Sequence, residues 1–146
     1  MTVKEANPSE AFEDLKSDPS TLLVDVRSMA EWSFVGFPNL AETGKEPVFV
    51  EWLVFPGMSQ NDSFVHSLSE RLDALGKDDI QKIYFLCRSG GRSHQAAVMM
   101  TDVFNAQGAS IECINVSEGF EGDLDGTRHR GGVNGWKARG LPWMQS

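Results

Sequence analysis

Residues 82–108 read KIYFLCRSGGRSHQAAVMMTDVFNAQG, and the fold of the whole chain can be worked out from this stretch. Residues 83–86 form a short β-branched and aromatic run without polar alternation, which is typical of a strand buried on both faces of a parallel sheet. After Cys87 and five polar or glycine residues, apolar side chains recur at helical spacing, and Gly108 stands where that helix would end. Cys87 is therefore expected to open a tight loop between a buried strand and a helix.

The loop after Cys87 consists of residue types that favour an anion. Gly90 and Gly91 permit backbone conformations in which successive N–H groups point inward, and the following helix adds unpaired N–H groups and the positive end of its dipole. Arg88 and Arg92 add positive charge. Such surroundings favour the thiolate, so Cys87 is expected to be a nucleophile at neutral pH. The alternative is a buried structural cysteine, which the charged and glycine-rich loop disfavours.

Composition and charge limit which partners and cofactors the protein is expected to have. The 146 residues, 40% hydrophobic and 23% charged, predict one globular domain over residues 1–146. A net charge of −8 disfavours nucleic acid and anionic membrane surfaces as partners. Two cysteines and three scattered histidines lack metal-ligand spacing, so no metal site is expected. Without a signal peptide or a run of transmembrane length, the chain is expected in a reducing, cytoplasmic setting.

Strand and helix patterns alternate along the chain, which predicts a parallel sheet with helices on both faces. The ligand site of such a sheet lies at the carboxyl ends of its strands. The loops after residue 26, at 55–62, at Cys87 and at 117–132 should therefore be neighbours. The predicted strands are residues 3–6, 22–26, 48–53, 83–86 and 110–116. The predicted helices begin at Pro8, Met29, Phe64 and Ser93, and a short last helix is expected at 133–138.

Three stretches resemble the motifs of single-domain rhodaneses, which are sulfurtransferases. Residues 23–27, Leu-Val-Asp-Val-Arg, followed by Glu31 and Trp32, are similar to the family's Asp-Val-Arg motif and its acidic-aromatic pair. Residues 87–93, Cys-Arg-Ser-Gly-Gly-Arg-Ser, are similar to its active-site loop. Residues 132–136 and 140–143 resemble its closing glycine, tryptophan and proline signature. The three stretches stand in the family's order and bracket nearly the whole chain.

The resemblance implies a rhodanese-like, three-layer α/β fold with a five-stranded, mainly parallel sheet and helices on both faces. It also implies that Cys87 accepts a sulfane sulfur from a donor such as thiosulfate. The sulfur would be held as a covalent persulfide, without a metal or another cofactor, and passed to a thiol, cyanide or protein acceptor. The catalytic residue would be Cys87, and the loop binding persulfide and substrate would comprise Arg88, Ser89, Gly90, Gly91, Arg92 and Ser93.

Within that loop the residues are expected to differ in role. Arg92 closes the loop and is expected to position the backbone, whereas Arg88 in mid-loop is expected to reach solvent and the donor. Ser89 either donates a hydrogen bond to the persulfide or completes a turn. His94, at the start of the helix, is expected to be a surface residue, although it could instead tune the thiolate.

Residues outside the loop are expected to support it. Asp25 and Arg27 are predicted to form a structural brace near the site, with Glu31 as a possible third member. Cys113 lies within a predicted strand and is expected to be a small buried side chain, with a resolving thiol as the alternative.

Aromatic side chains near the active-site edge have two interpretations. Trp52, Phe55 and Phe64 could form an apolar wall for an acceptor, and core packing explains at least two of them equally well. Trp136 and Trp143 are expected to be packing anchors.

Two segments depart from the family pattern. After Trp32 the family usually has a Gly-His-Ile-Pro-Gly-Ala type segment, whereas residues 36–39 here read Gly-Phe-Pro-Asn and lack the histidine. Residues 118–130 are longer and more charged than the minimal pattern and are expected to remodel the rim of the site. The alternative for these residues is a solvated loop.

Two rival functions stay open. A cysteine-based phosphatase or arsenate reductase of related fold places five residues between cysteine and arginine, to surround a tetrahedral oxyanion. Only four residues separate Cys87 from Arg92, which favours a single sulfur atom. A non-catalytic binding or regulatory module is the second rival, and the presence of Cys87 and both arginines counts against it.

Overall fold

The computed structural model describes residues 3–146 and alternates strands with helices along most of the chain. Two 3-10 turns, Ala41–Thr43 and Lys77–Asp79, lie between the main elements. In chain order the main elements are β1 (Lys4–Ala6), α1 (Pro8–Ser17), β2 (Thr21–Asp25), α2 (Met29–Phe34), β3 (Phe37–Pro38), β4 (Val48–Phe49), β5 (Leu53–Val54), β6 (Ser59–Gln60), α3 (Phe64–Leu75), β7 (Lys82–Leu86), α4 (Gly91–Ala106), β8 (Glu112–Val116) and β9 (Trp143–Met144).

Five of these strands form the central sheet in the order β1-β8-β7-β2-β4. Every pair of neighbours is parallel, which confirms the predicted parallel sheet. β7 lies in the middle, between β2 and β8. Because parallel strands end at one edge, the segments that follow β2, β7 and β8 meet there, as expected for a ligand site.

Helices cover both faces of the sheet, as predicted. On one face, Leu68 of α3 and Ala96 of α4 pack with Ile83 and Phe85. On the other face, buried side chains of α1 pack with alternate strand residues such as Tyr84. The strands are buried on both sides because successive side chains point to opposite faces.

Two helices begin with reciprocal capping boxes. Asn7 accepts a hydrogen bond from the Glu10 N–H, while Glu10 accepts one from the Asn7 N–H. Ser28 and Glu31 form the same arrangement at the start of α2. Such caps satisfy N–H groups that the first helical turn leaves unpaired. The second box also fixes the carboxylate of Glu31 at the active-site edge of the sheet.

The predicted strand at 48–53 is wrong in its length. Only β4 is paired residue by residue with β2, although the Val50 and Trp52 N–H groups still donate to the Asp25 and Val26 carbonyl oxygens over 3.1 and 3.0 Å. The chain then turns away, and β5 pairs antiparallel with β6 in a small hairpin. β6 lies within the predicted loop at 55–62 that leads to α3, whereas Leu53 of β5 is the last residue of the predicted strand.

The predicted helix at 133–138 is also wrong, because these residues form turns that pack against residues 119–122. Gly135 has φ +99, and a Cβ there would lie 2.6 Å from the backbone nitrogen of Gly122. The Trp136 N–H donates to the Gly119 carbonyl oxygen over 2.9 Å. The chain ends in β9, an unpredicted strand that pairs antiparallel with β3.

No helix within residues 3–146 is long and apolar enough to cross a membrane.

Candidate active site

Cys87 follows the central strand β7, and its side chain is only 1% exposed. Its sulfur accepts a hydrogen bond from the Gly90 N–H over 3.1 Å and lies 3.2 Å from the Ser93 hydroxyl oxygen. Gly90 has φ +112, and a Cβ there would lie 2.6 Å from the Ser117 carbonyl oxygen. Only glycine fits this position without strain, so the close approach of the Gly90 N–H to the sulfur depends on it.

Residues 120–122 hold the outer side of the Cys87 loop. The Phe120 N–H donates to the Cys87 carbonyl oxygen over 2.8 Å, and the N–H groups of Glu121 and Gly122 both donate to the Arg88 carbonyl oxygen. These contacts give hydrogen-bond donors to the carbonyl oxygens of Cys87 and Arg88. The first part of the 118–130 tract is therefore structural, because it fixes the backbone that surrounds Cys87.

A buried hydrogen-bond chain leads from the sulfur to β1. The Ser93 hydroxyl lies 2.6 Å from Asn115 Oδ1, and Asn115 Nδ2 donates to the Gly90 carbonyl oxygen and to Glu5. A serine hydroxyl has one proton to donate. Ser93 can therefore donate to Asn115 while it accepts from a Cys87 thiol, or it can donate to a sulfur anion. Asn115 was not predicted as part of the site, because it lies in β8, 22 residues from Ser93.

Arg92 is held by a carboxylate from another element. Its two terminal nitrogens donate to the two carboxylate oxygens of Glu31 over 2.6 and 2.9 Å. Burial disfavours the Glu31 anion, but the hydrogen bonds from Arg92 and Ser28 outweigh burial and lower the pKa of Glu31 to about 2. The positioning role of Arg92 stays a prediction, and this two-point ion pair gives it a structural basis.

The Glu31 carboxylate should make stability depend on pH. Its pKa falls from an ordinary value of 4.5 to about 2 on folding, so its contribution is full above pH 4.5 and is lost as the pH falls toward 2. The wild type should therefore be more stable than Glu31→Gln at pH 6, and the difference should shrink steadily below pH 4.5. Urea unfolding of both proteins across this range measures it. A difference that does not change with pH would contradict the assignment.

Asp25 and Arg27 form a fully buried ion pair. Both side chains are 0% exposed, with 2.7 Å between Arg27 Nη2 and Asp25 Oδ2. Arg27 also donates to the Gly36 carbonyl oxygen over 2.8 Å and stacks its guanidinium 4.2 Å from the centre of the Phe120 ring. Glu31 is not a third member of this pair, contrary to the suggested grouping, because its carboxylate is taken up by Arg92.

A cavity of about 630 Å³ lies next to the Cys87 loop. Arg88 lines it with an exposed side chain, and Arg92 lines it from the start of α4. Glu121 and Arg130 bring the 118–130 tract to the same rim. The other lining residues are Ser28, Ala30, Glu31, Phe34, Val35, Leu53, Phe55 and Met58.

The predicted aromatic wall is only partly present. Phe55 lines the cavity and is 57% exposed, whereas Trp52 and Phe64 are buried and pack on one another with ring centres 4.9 Å apart. Phe34 was missed, although it is 82% exposed at the cavity. Its position at the end of a six-residue helix gave no sign of where its side chain would lie.

The two expected tryptophan anchors differ. Trp136 is fully buried, and its Nε1 donates to the Pro142 carbonyl oxygen over 2.7 Å. Trp143 is 40% exposed, but its ring packs edge-on against that of the buried Phe120 with ring centres 6.2 Å apart, so it packs on one side only. As part of the short edge strand β9, Trp143 has one side open to solvent while Lys137 approaches its ring to 4.0 Å.

Cys113 and His94 lie outside the reacting centre. Burial raises the pKa of the Cys113 thiol to about 11, which keeps it protonated and poorly nucleophilic. The half-exposed His94 ring lies 3.4 Å from Glu5 at the surface. In the described part of the chain, no three His, Cys, Asp or Glu side chains are grouped so that they could hold a metal ion.

The geometry can be compared with that of known proteins. No family model matches the sequence. The uncharacterized protein RC0915 of Rickettsia conorii is 33% identical over 144 residues, which cover 99% of each chain. The crystal structure of Rv0390 from M. tuberculosis is 40% identical, covers all of both chains and superposes with a TM-score of 0.83.

A more distant structure relates the fold to a sulfur transferase. The polysulfide-sulfur transferase homodimer from Wolinella succinogenes matches 99% of this chain and 80% of its own chain. The match has 18% identity and a TM-score of 0.53, so it supports the fold alone. With the Asp-Val-Arg motif ending β2 and the Cys87 loop between β7 and α4, the chain is a single-domain rhodanese-like protein of one family with RC0915 and Rv0390.

Proposed function

We propose that this protein is a sulfurtransferase that carries sulfane sulfur on Cys87. The observation that carries the proposal is the four-residue loop between Cys87 and Arg92, whose Gly90 N–H converges on one sulfur atom with the hydroxyl of Ser93, the residue after Arg92. The charge of the Cys87 thiolate, which exists before sulfur is accepted and again after it is passed on, lies on this atom, and such donors stabilise it. Cys87 is thus the catalytic residue, and the loop supplies the binding groups.

The reaction divides into two displacements on sulfur. In the first, the Cys87 thiolate attacks the outer sulfur of thiosulfate, the sulfur–sulfur bond of the donor breaks, and sulfite leaves with the bonding electron pair. In the second, a thiol, cyanide or protein thiolate attacks the outer sulfur of the persulfide, and the electron pair returns to Cys87. The two steps need neither an external oxidant nor a metal, and the only intermediate is covalent.

Ser93 suits both states of this cycle. Its hydroxyl can donate to the anionic thiolate or persulfide and can return to Asn115 Oδ1 when Cys87 is protonated. Asn115 in turn donates to the Gly90 carbonyl oxygen, which keeps the Gly90 N–H aimed at the sulfur. Asn115 therefore positions both groups that contact the reacting atom.

The setting proposed for this chemistry is the cytoplasm, where reducing conditions preserve free thiols. Both cysteines are free in the structure. The net charge of −8 supports small-molecule or protein partners and not nucleic acid or an anionic membrane surface.

A sulfur-transfer assay tests the proposal against the phosphatase alternative. The protein should form thiocyanate from thiosulfate and cyanide and should leave an aryl phosphate intact. Because Arg88 lies exposed at the cavity, Arg88→Ala should raise the KM for thiosulfate on the order of tenfold, the usual scale for one lost charged hydrogen bond.

Arg71→Ala is the matched control, because Arg71 is an exposed arginine of α3 that does not line this cavity. This variant should keep the wild-type KM. Phosphate release without thiocyanate would overturn the proposed reaction. A loss of thermal stability in Arg88→Ala with unchanged donor kinetics would show that Arg88 is the structural arginine.

A further inference from the structure

We propose that the cavity beside the Cys87 loop selects an organic donor, with an anionic sulfane sulfur attached to an apolar body, over inorganic thiosulfate. This inference rests on the proposed function and names the class of donor. Its members are compounds such as thiosulfonates and organic persulfides. The apolar surface, the size and the charge of the cavity all fit such a donor.

The apolar surface comes from side chains of two separate elements that line the same cavity. Phe34, at the end of α2, is 82% exposed, and Phe55 and Met58, in the turn of the β5–β6 hairpin, are 57% and 38% exposed. Single exposed apolar residues are ordinary on protein surfaces, but several around one concave site indicate a ligand. A small hydrated inorganic ion gains nothing from such walls.

The size of the cavity also fits an organic molecule. Its volume of about 630 Å³ lies within the 300–1,000 Å³ range typical of sites for organic ligands. Thiosulfate would fill a small part of this space and would leave the wall formed by Leu53 and Val35 in contact with water. An aryl or alkyl body next to the reacting sulfur would cover that wall.

The charge of the cavity matches one anionic group. Three arginines and two glutamates line it, which gives a local charge of +1 in a chain of net charge −8. Arg92 and Glu31 neutralise one another through their ion pair. Arg130 donates one hydrogen bond to the Gly122 carbonyl oxygen, a neutral partner that leaves its charge uncompensated. Arg88 is exposed at the rim. An anion carrying an apolar body complements both features.

The chemistry with such a donor follows the same course as with thiosulfate. The Cys87 thiolate attacks the outer sulfur of a thiosulfonate, the sulfur–sulfur bond breaks, and the sulfinate leaves with the bonding electron pair. The product on the protein is the same persulfide. Arg88 and Arg130, which line the cavity, would stabilise the departing sulfinate, and Phe34 and Phe55 would contact its organic group.

Two thiosulfonates isolate the effect of the apolar body. Benzenethiosulfonate and methanethiosulfonate share the reacting group and differ only in the organic part. With cyanide as acceptor, kcat/KM for the benzene compound should exceed that for the methane compound by roughly tenfold or more, the scale expected for covering one aromatic ring. Phe34→Ser and Phe55→Ser should bring this ratio toward one, and each should lower kcat/KM for the benzene compound more than kcat/KM for thiosulfate.

Leu75→Ser is the matched control, because Leu75 is 54% exposed at the end of α3 and does not line the cavity. In this variant the ratio of kcat/KM for the benzene compound to that for the methane compound should equal the wild-type ratio. The inference is overturned if the wild type has equal kcat/KM for the two thiosulfonates, or if the ratio is unchanged in both phenylalanine variants. Turnover of thiosulfate in the same experiments would leave the proposed function intact. Failure of all three donors to load Cys87 overturns the proposed function itself.

Discussion

Replacing Asp25 by alanine is expected to lower the free energy of unfolding by about 3–5 kcal/mol, the usual cost of leaving a buried charge without its partner. Asp25 and Arg27 are both fully buried, and the Arg27 guanidinium has no exposed side from which water could replace the carboxylate. Arg27 Nη1 already lacks a hydrogen-bond partner, so the loss of Asp25 would leave the cation held mainly by the Gly36 carbonyl oxygen and the Phe120 ring. Urea unfolding measures the effect.

A surface ion pair supplies the control for this prediction. Lys4 and Glu112 are joined over 3.1 Å, but their side chains are 70% and 41% exposed. Glu112→Ala should cost less than about 1 kcal/mol, because exposed pairs gain little from charge attraction. The double variant Asp25→Leu with Arg27→Met should cost less than the sum of its parts. A cost for Asp25→Ala as small as that for Glu112→Ala would show that Arg27 finds another partner.

The buried pair connects the core to the Cys87 loop. It lies at the end of β2, and through Gly36 and Phe120 it holds the segment after α2 and the segment after β8. Phe120 in turn donates its N–H to the Cys87 carbonyl oxygen. A destabilised brace should therefore loosen the loop as well as the core.

The parts of the fold that sequence alone predicted are those governed by local pattern. β7, the Cys87 loop and α4 follow one another within one continuous stretch, so the change from a buried strand to helical periodicity was visible there. The parallel sheet followed from the alternation of strands and helices. The resemblance to rhodaneses rested on three motifs in a fixed order, and it agrees with the fold.

The parts that sequence did not predict depend on contacts between distant residues. Glu31 and Arg92 are 61 residues apart, and no local pattern states that one will hold the other. The β5–β6 hairpin and β9 consist of two-residue strands, which are too short to show alternation. The turn at Gly135 results from tight packing of this segment against Gly122. Because Gly122 is distant in sequence, the local pattern predicted a helix there.

The selective features of the site also depend on the tertiary structure. Phe34 ends one helix and Phe55 begins a hairpin turn, and only the fold brings them to one cavity. The 118–130 tract divides into two parts, because Phe120 is core while Glu121 and Arg130 line the cavity. If relatives differ in the donor they accept, the difference should lie in the cavity-lining phenylalanines and in the 118–130 tract.

The largest effect on activity is expected from the nucleophile. Cys87→Ala should lower sulfur transfer to cyanide at least about 10³-fold, because removal of a covalent nucleophile takes away the intermediate and not only a binding contact. The matched control is Cys113→Ala, which removes the other cysteine. Cys113 is buried in β8 with its thiol pKa raised to about 11, so this variant should retain most of the wild-type turnover. Steady-state thiocyanate formation measures both variants, and equal losses in the two would contradict the assignment of Cys87.

The most direct measurement is the intact mass of the protein after exposure to thiosulfate and removal of excess donor, followed by peptide mapping. We expect one added sulfur atom per chain, located on Cys87, present in Cys113→Ala and absent from Cys87→Ala. A protein that gains no sulfur from thiosulfate or from either thiosulfonate, or that gains it on Cys113, would contradict the claim that the Cys87 loop is a sulfur carrier.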